Sequence, residues 1–216
     1  MSYDVTQFFG AKRSAPQGHL EEALAKFAST KSAISGNALL KLAKATGLWV
    51  YGQGNTKVED ADRFVVDPSS FATGYIAWYL GKIEKEVMQP LTDGPVDPNS
   101  LDRDILSGTV PPGKREKSGR GWENQVQFEL VLRDKVPVKL IYKASSRGGI
   151  EGVLDLASEI AFGLYEGQGV RAYPAIRLAR SSYEHDEYGT VYTPKFVVEA
   201  WLDASGNAIE EKKSLL

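Results

Sequence analysis

The apolar period of this chain switches twice between residues 125 and 202, and that switch limits its folds more than any other feature. Residues 125–133 and 136–143 alternate apolar and polar side chains, the period of a half-buried strand. In the first, Val126, Phe128, Leu130 and Leu132 face one way and Gln127 and Glu129 the other, with Val131 the exception. In the second, Val138, Leu140 and Tyr142 alternate with Lys139, Ile141 and Lys143. Residues 149–165 then repeat at helical spacing, with Val153, Leu156, Ala157, Ile160, Ala161 and Leu164 as an apolar stripe. Residues 171–180 and 190–202 return to a period of two. Strand, strand, helix, strand, strand is the second half of an OB-type barrel.

The first half supplies more strands. Period-two segments at 48–51, 63–66, 74–80 and 83–88 are separated by Gly52, Gly54 and Asn55, by Asp67-Pro68, and by Gly81-Lys82. Two helices are expected ahead of them, at 20–26 on Leu20, Ala23 and Leu24, and at 38–45 on Leu39, Leu40, Leu42 and Ala43. The second would be capped by Asn37 and ended by Gly47, with Lys41 and Lys44 on its solvent side. The fold class expected is therefore mainly β (α+β): an OB-like antiparallel β-barrel with one internal helix and added N-terminal helices.

Residues 92–121 hold five glycines and four prolines and read as a long loop. The organisation expected is an N-terminal arm at 1–18, one OB-like domain at 19–203 carrying that loop, and a tail at 204–216. A net charge of −2 excludes a polycation, so any contact with nucleic acid must use a local patch. Residues 111–147 offer one, with nine Lys or Arg against four Asp or Glu. No cysteine is present, which removes disulfides, thiolate metal sites and a cysteine nucleophile. No apolar run approaches the roughly 20 residues that span a bilayer. The first residues lack the apolar core of a secretory signal.

No sequence pattern names a reaction: HExxH, GxSxG and a phosphate-binding GxxxxGK[ST] are all absent. The run Tyr183, Glu184, His185, Asp186, Glu187, Tyr188 has metal-ligand chemistry but adjacent ligands, which fits a polar hairpin loop better. Aromatic residues make up 10% of the chain. Those near cations suit base stacking and phosphate contact. The residues expected to bind nucleic acid are Lys139, Tyr142, Lys143, Arg147, Arg171, Tyr173, Arg177 and Arg180, with Lys114, Arg115, Lys117 and Arg120 from the loop. Tyr173 and Arg177 share a strand face. Neither a catalytic residue, a metal nor a cofactor is expected.

Residues 183–196 read Tyr183, His185, Tyr188, Gly189, Tyr192, Thr193, Pro194, Phe196 in the pattern Y-x-H-x-x-Y-G-x-x-Y-T-P-x-F. With the stretches LLKLAKATGLWVYGQGNTKVE and FATGYIAWYLGKIEKEVMQPL, this resembles a family of uncharacterised proteins encoded by tailed bacteriophages. The resemblance spans roughly residues 37–203. It implies a phage origin, action in the cytoplasm of the infected host, and DNA replication or recombination as a setting. Phage single-stranded DNA-binding proteins commonly use OB-type barrels and end in an acidic tail, whereas this chain ends in the mixed sequence EEKKSLL. The leading expectation is a non-enzymatic, non-sequence-specific single-stranded DNA-binding protein. Its partners would be the strand, phage replication or recombination proteins, and a second copy through the arm. The alternatives are a protein-interaction module, either a virion component or an inhibitor of a host enzyme, and a nuclease.

Overall fold

The computed structural model describes residues 38–79, 82–102, 105, 121–133 and 137–209. These form ten strands: β1 (Ala38–Ala43), β2 (Leu48–Tyr51), β3 (Thr56–Lys57), β4 (Phe64–Val66), β5 (Ala72–Tyr79), β6 (Lys82–Pro90), β7 (Trp122–Leu132), β8 (Lys139–Ala144), β9 (Tyr173–His185) and β10 (Gly189–Leu202). One α-helix, α1 (Arg147–Glu166), lies between β8 and β9. The order β7, β8, α1, β9, β10 matches the periodicity of the sequence. The expected arm at 1–18, the expected helix at 20–26 and the basic part of the 92–121 loop lie outside the described residues.

The strands form one mixed sheet in the order β10-β9-β4-β7-β8-β1-β2-β3. The longest central strand, β7, organises it. One edge of β7 pairs with β8, from Val126↔Ala144 to Val131↔Lys139. The other edge is shared: its first half pairs with β5 and its last three residues with β4. The chain between β4 and β5 seals the junction. Asp67 Oδ1 accepts from Ser69 N at 2.9 Å, and Ser70 Oγ accepts from Glu129 N at 2.8 Å. The ladder of β7 therefore continues across the gap without an orphaned amide.

The segment expected as a helix at 38–45 is instead strand β1. It pairs antiparallel with β2, from Leu40↔Tyr51 to Ala43↔Leu48, and parallel with β8 through Ala38↔Leu140, Leu39↔Ile141 and Leu40↔Tyr142. Over so short an apolar run both periods fit, and tertiary pairing decides. Gly47, expected as the stop of a helix, is the left-handed residue (φ 66°) of the β1–β2 turn. It is also crowded, because a Cβ there would fall 2.7 Å from Arg180 Cδ and 2.8 Å from the Tyr192 ring.

A closed antiparallel barrel is not what the strands make. The β1–β8 pair is parallel, and β10 and β3 end the path without a ladder between them. The sheet nevertheless curls until the β1–β2 turn meets the β9–β10 hairpin. Tyr192 N donates to Lys44 O at 3.0 Å, Trp49 Nε1 to Ala179 O at 3.0 Å, and an Arg180 guanidinium N–H to Gly47 O at 2.5 Å. Inside the curl lies an aromatic core of Trp49, Phe71, Phe128, Tyr142 and Phe196, with ring centroids 5.1 to 5.8 Å apart. Helix α1 packs onto it through Val153, Leu156 and Ile160.

Candidate functional site

The parallel ladder between β1 and β8 lasts only three residue pairs, although both strands run further. Beyond Leu40 and Tyr142 the two strands separate. Hairpin β5–β6 stands beside the split, and a groove of about 480 Å³ opens between them. Its walls are largely apolar: Leu39 and Leu42 from β1, Ile76 and Trp78 from β5, and Ile83 from β6. Trp78 is half-buried and lines the groove. Ile83 also borders a smaller cleft with Tyr79, Lys82 and Glu84, which carries the groove toward the tip of the β5–β6 hairpin.

The floor is polar and closed upon itself. Gln125, almost fully buried, donates Nε2 to Glu86 Oε1 at 2.6 Å. Lys143 Nζ donates to both Glu86 oxygens, at 2.9 and 2.7 Å. Glu86, the one carboxylate among the described residues that line the groove, is thus already engaged by an amide and a cation. Lys41 and Lys44 are different. Both are exposed at the rim, and neither enters an ion pair among the described residues. Ser145 and Ser146 complete the lining just ahead of α1. Ser146 holds the cap position of that helix without a side-chain cap bond, so the positive end of α1 lies beside the two lysines.

The residues expected from sequence scatter around this site. Lys143 lines the groove but is paired with Glu86. Lys139 is paired with Glu129 at 2.8 Å on the same outer face of the sheet. Arg147 sits at the start of α1 and is paired with Glu151 at 2.8 Å, its side chain largely exposed. Tyr142 belongs to the core: it is 5% exposed and packs against Trp49, Phe128 and Phe196, so its face is not open to a base. Burial pushes its phenol well above the ordinary tyrosine pKa.

The β9 set is also engaged in structure. Arg177 donates to Glu199 at 2.8 Å, and Arg63 meets the same carboxylate at 2.5 Å. Tyr173 is half-buried against Val65 and Leu202, and burial, then the nearby Asp67 carboxylate, raises its pKa. The expected Tyr173–Arg177 platform is thus a packed ring beside a neutralised cation. Arg171 donates to Gly163 O at 3.1 Å at the C-terminal end of α1 and lies over the Trp201 ring at 5.5 Å. Arg180 braces the β1–β2 turn and lies over Tyr192 at 5.6 Å. Lys114, Arg115, Lys117 and Arg120 lie outside the described residues.

The run 183–188 ends β9 and forms the turn into β10. The His185 ring lies 4.7 Å from that of Tyr188, and His185 Nδ1 accepts from Glu187 N at 3.1 Å. No group of three or more potential metal ligands occurs among the described residues. Sequence reasoning missed Lys41, Lys44 and Trp78 as a set. The run 38–43 fits a helix and a strand equally, so no local signal placed the two lysines beside the β5–β6 hairpin; the pairing of β1 with β2 and β8 does. Among the described residues no helix is long and apolar enough to cross a membrane. Comparison with known protein families, with curated proteins and with solved structures finds no match.

Proposed function

We propose that this chain is a non-enzymatic, non-sequence-specific binder of single-stranded DNA, acting in bacteriophage DNA replication or recombination in the cytoplasm of the infected host. The observation that carries the reading is the placing of two cations that enter no ion pair among the described residues, Lys41 and Lys44, with the half-buried Trp78 in one groove. A base stacked on an indole gains about 1–3 kcal/mol whatever its identity, and lysines at the rim meet the phosphates. The uncapped start of α1 adds a further positive potential. Binding rather than catalysis fits the groove, because its carboxylate Glu86 is held by Lys143 and Gln125 and is not free to act as a base.

The same reading takes the curled sheet as a divergent OB-type barrel, stapled by side chains where a closed barrel would have a ladder. The phage setting follows from the sequence resemblance. The basic loop supplies further backbone contacts through Lys114, Arg115, Lys117 and Arg120. The N-terminal arm supplies contacts to a second copy, and phage replication or recombination proteins are the partners.

A titration of a labelled oligothymidine against the same sequence as duplex tests this. Single strands should bind in the micromolar range at about 50 mM salt, with affinity falling on added salt by a log–log slope of about −0.7 per phosphate met. Trp78→Ala should weaken binding at every salt concentration without changing the slope, since stacking releases no counterion. Absence of single-strand binding under those conditions, or equal binding of duplex, sinks the reading.

A further inference from the structure

Helix α1 buries one face in the core, and its opposite face is unexpectedly apolar. Leu154, Phe162 and Tyr165 are 55%, 67% and 80% exposed. With Ser158 they fall at successive turns of the helix and form one stripe pointing away from the sheet. Ser158 turns its hydroxyl back to Leu154 O at 2.9 Å, which leaves its aliphatic surface outward. A stripe of this kind on a helix of 20 residues marks a contact surface.

Charge selects the partner. Glu151, Asp155 and Glu159 run in a row of i, i+4 spacing beside the apolar stripe, and Glu166 follows at its end. Only Glu151 has a cationic partner on the helix, Arg147. A second copy of α1 laid antiparallel on the stripe would bring two acidic rows together, which is repulsive. Segment 20–27 of this chain carries the apolar residues Leu20, Ala23, Leu24 and Phe27 but also Glu21 and Glu22 against the one Lys26, so it too matches the acidic row poorly. The geometry points to a docking face on α1 for a basic amphipathic helix of another protein, its apolar side on Leu154, Phe162 and Tyr165 and its Lys or Arg side chains along Asp155, Glu159 and Glu166. This inference stands apart from the groove and holds whether or not the groove binds DNA.

The test uses the full chain and two labelled helical peptides of about 18 residues, long enough to hold a helix on a surface. One patterns Leu with Lys, the other Leu with Glu, and a scrambled Leu/Lys peptide is the control. The patterned Leu/Lys peptide should raise fluorescence anisotropy with the unmodified protein. Phe162→Ser should weaken it by about tenfold or more, the scale of an interface anchor. The pair Asp155→Lys and Glu159→Lys should weaken it similarly and remove its salt dependence. Both changes are on the exposed face, so thermal unfolding should be unaltered. Binding that is absent, equal for the scrambled or Leu/Glu peptide, or indifferent to both variants overturns the proposal. A concentration-dependent dimer in sedimentation that Phe162→Ser abolishes overturns it in favour of a second copy.

Discussion

The indole N–H of Trp49 donates to the carbonyl of Ala179, 130 residues further along the chain, at 3.0 Å. The bond joins the β1–β2 hairpin to β9 where no strand ladder does, and the same ring packs 5.7 Å from Phe196 in the core. Trp49→Phe keeps an aromatic ring in the core but removes the donor. The expected outcome is a loss of about 1–3 kcal/mol, measured as a lowered urea midpoint with an unchanged slope, because a part-buried carbonyl loses its partner. An unchanged midpoint would show that the curl is held without this bond.

Gly163 faces the Trp201 ring, and a Cβ on it would overlap the indole. Gly163→Ala should destabilise the protein by on the order of 1–3 kcal/mol, because Trp201 is buried and cannot swing away freely. Alanine is the better helix former in isolation, so helix propensity alone predicts the opposite sign. Thermal unfolding of the two proteins distinguishes steric approach from propensity.

Tyr142 gives a pH dependence with a definite direction. Burial raises its folded pKa above the unfolded value. Its contribution is therefore complete below the ordinary tyrosine pKa of about 10 and is lost as pH rises from there toward the folded pKa. The urea midpoint should fall above about pH 10, and Tyr142→Phe should fall less steeply over the same range. Parallel curves for the two proteins would count against a buried phenol.

The lysines separate by whether a carboxylate already holds them. Lys41→Ala with Lys44→Ala should flatten the salt dependence of single-strand binding by up to about 0.7 per lysine. Lys139→Ala should leave the slope as it was, because Glu129 pairs with that ammonium at 2.8 Å. The reverse ranking would move the DNA path away from the groove and onto the outer face of β7 and β8.

Composition and period determined much of the fold on their own. Alternation in 125–133, broken only at Val131, and the stripe from Val153 to Leu164 specify strand β7 and helix α1, because long periodic segments carry their own signal. That both faces of β7 are buried at Leu130, Val131 and Leu132 is decided by the strands and helix around it. The polar turn near residues 183–188 was legible for the same reason, since Gly189 and charged neighbours suit a chain reversal. The short apolar run 38–43 was not, because six residues fit a helix or a strand equally and the partners β2 and β8 chose. Open against closed topology also lay beyond local sequence: β1 aligns parallel to β8, and three long-range hydrogen bonds replace a ladder. The candidate site is a product of that choice. Lys41 and Lys44 become groove cations only because β1 parts from β8 after Leu40. Lys143, Lys139 and Arg177 meet Glu86, Glu129 and Glu199 only in three dimensions, and such pairing is a property of distance, not of order along the chain.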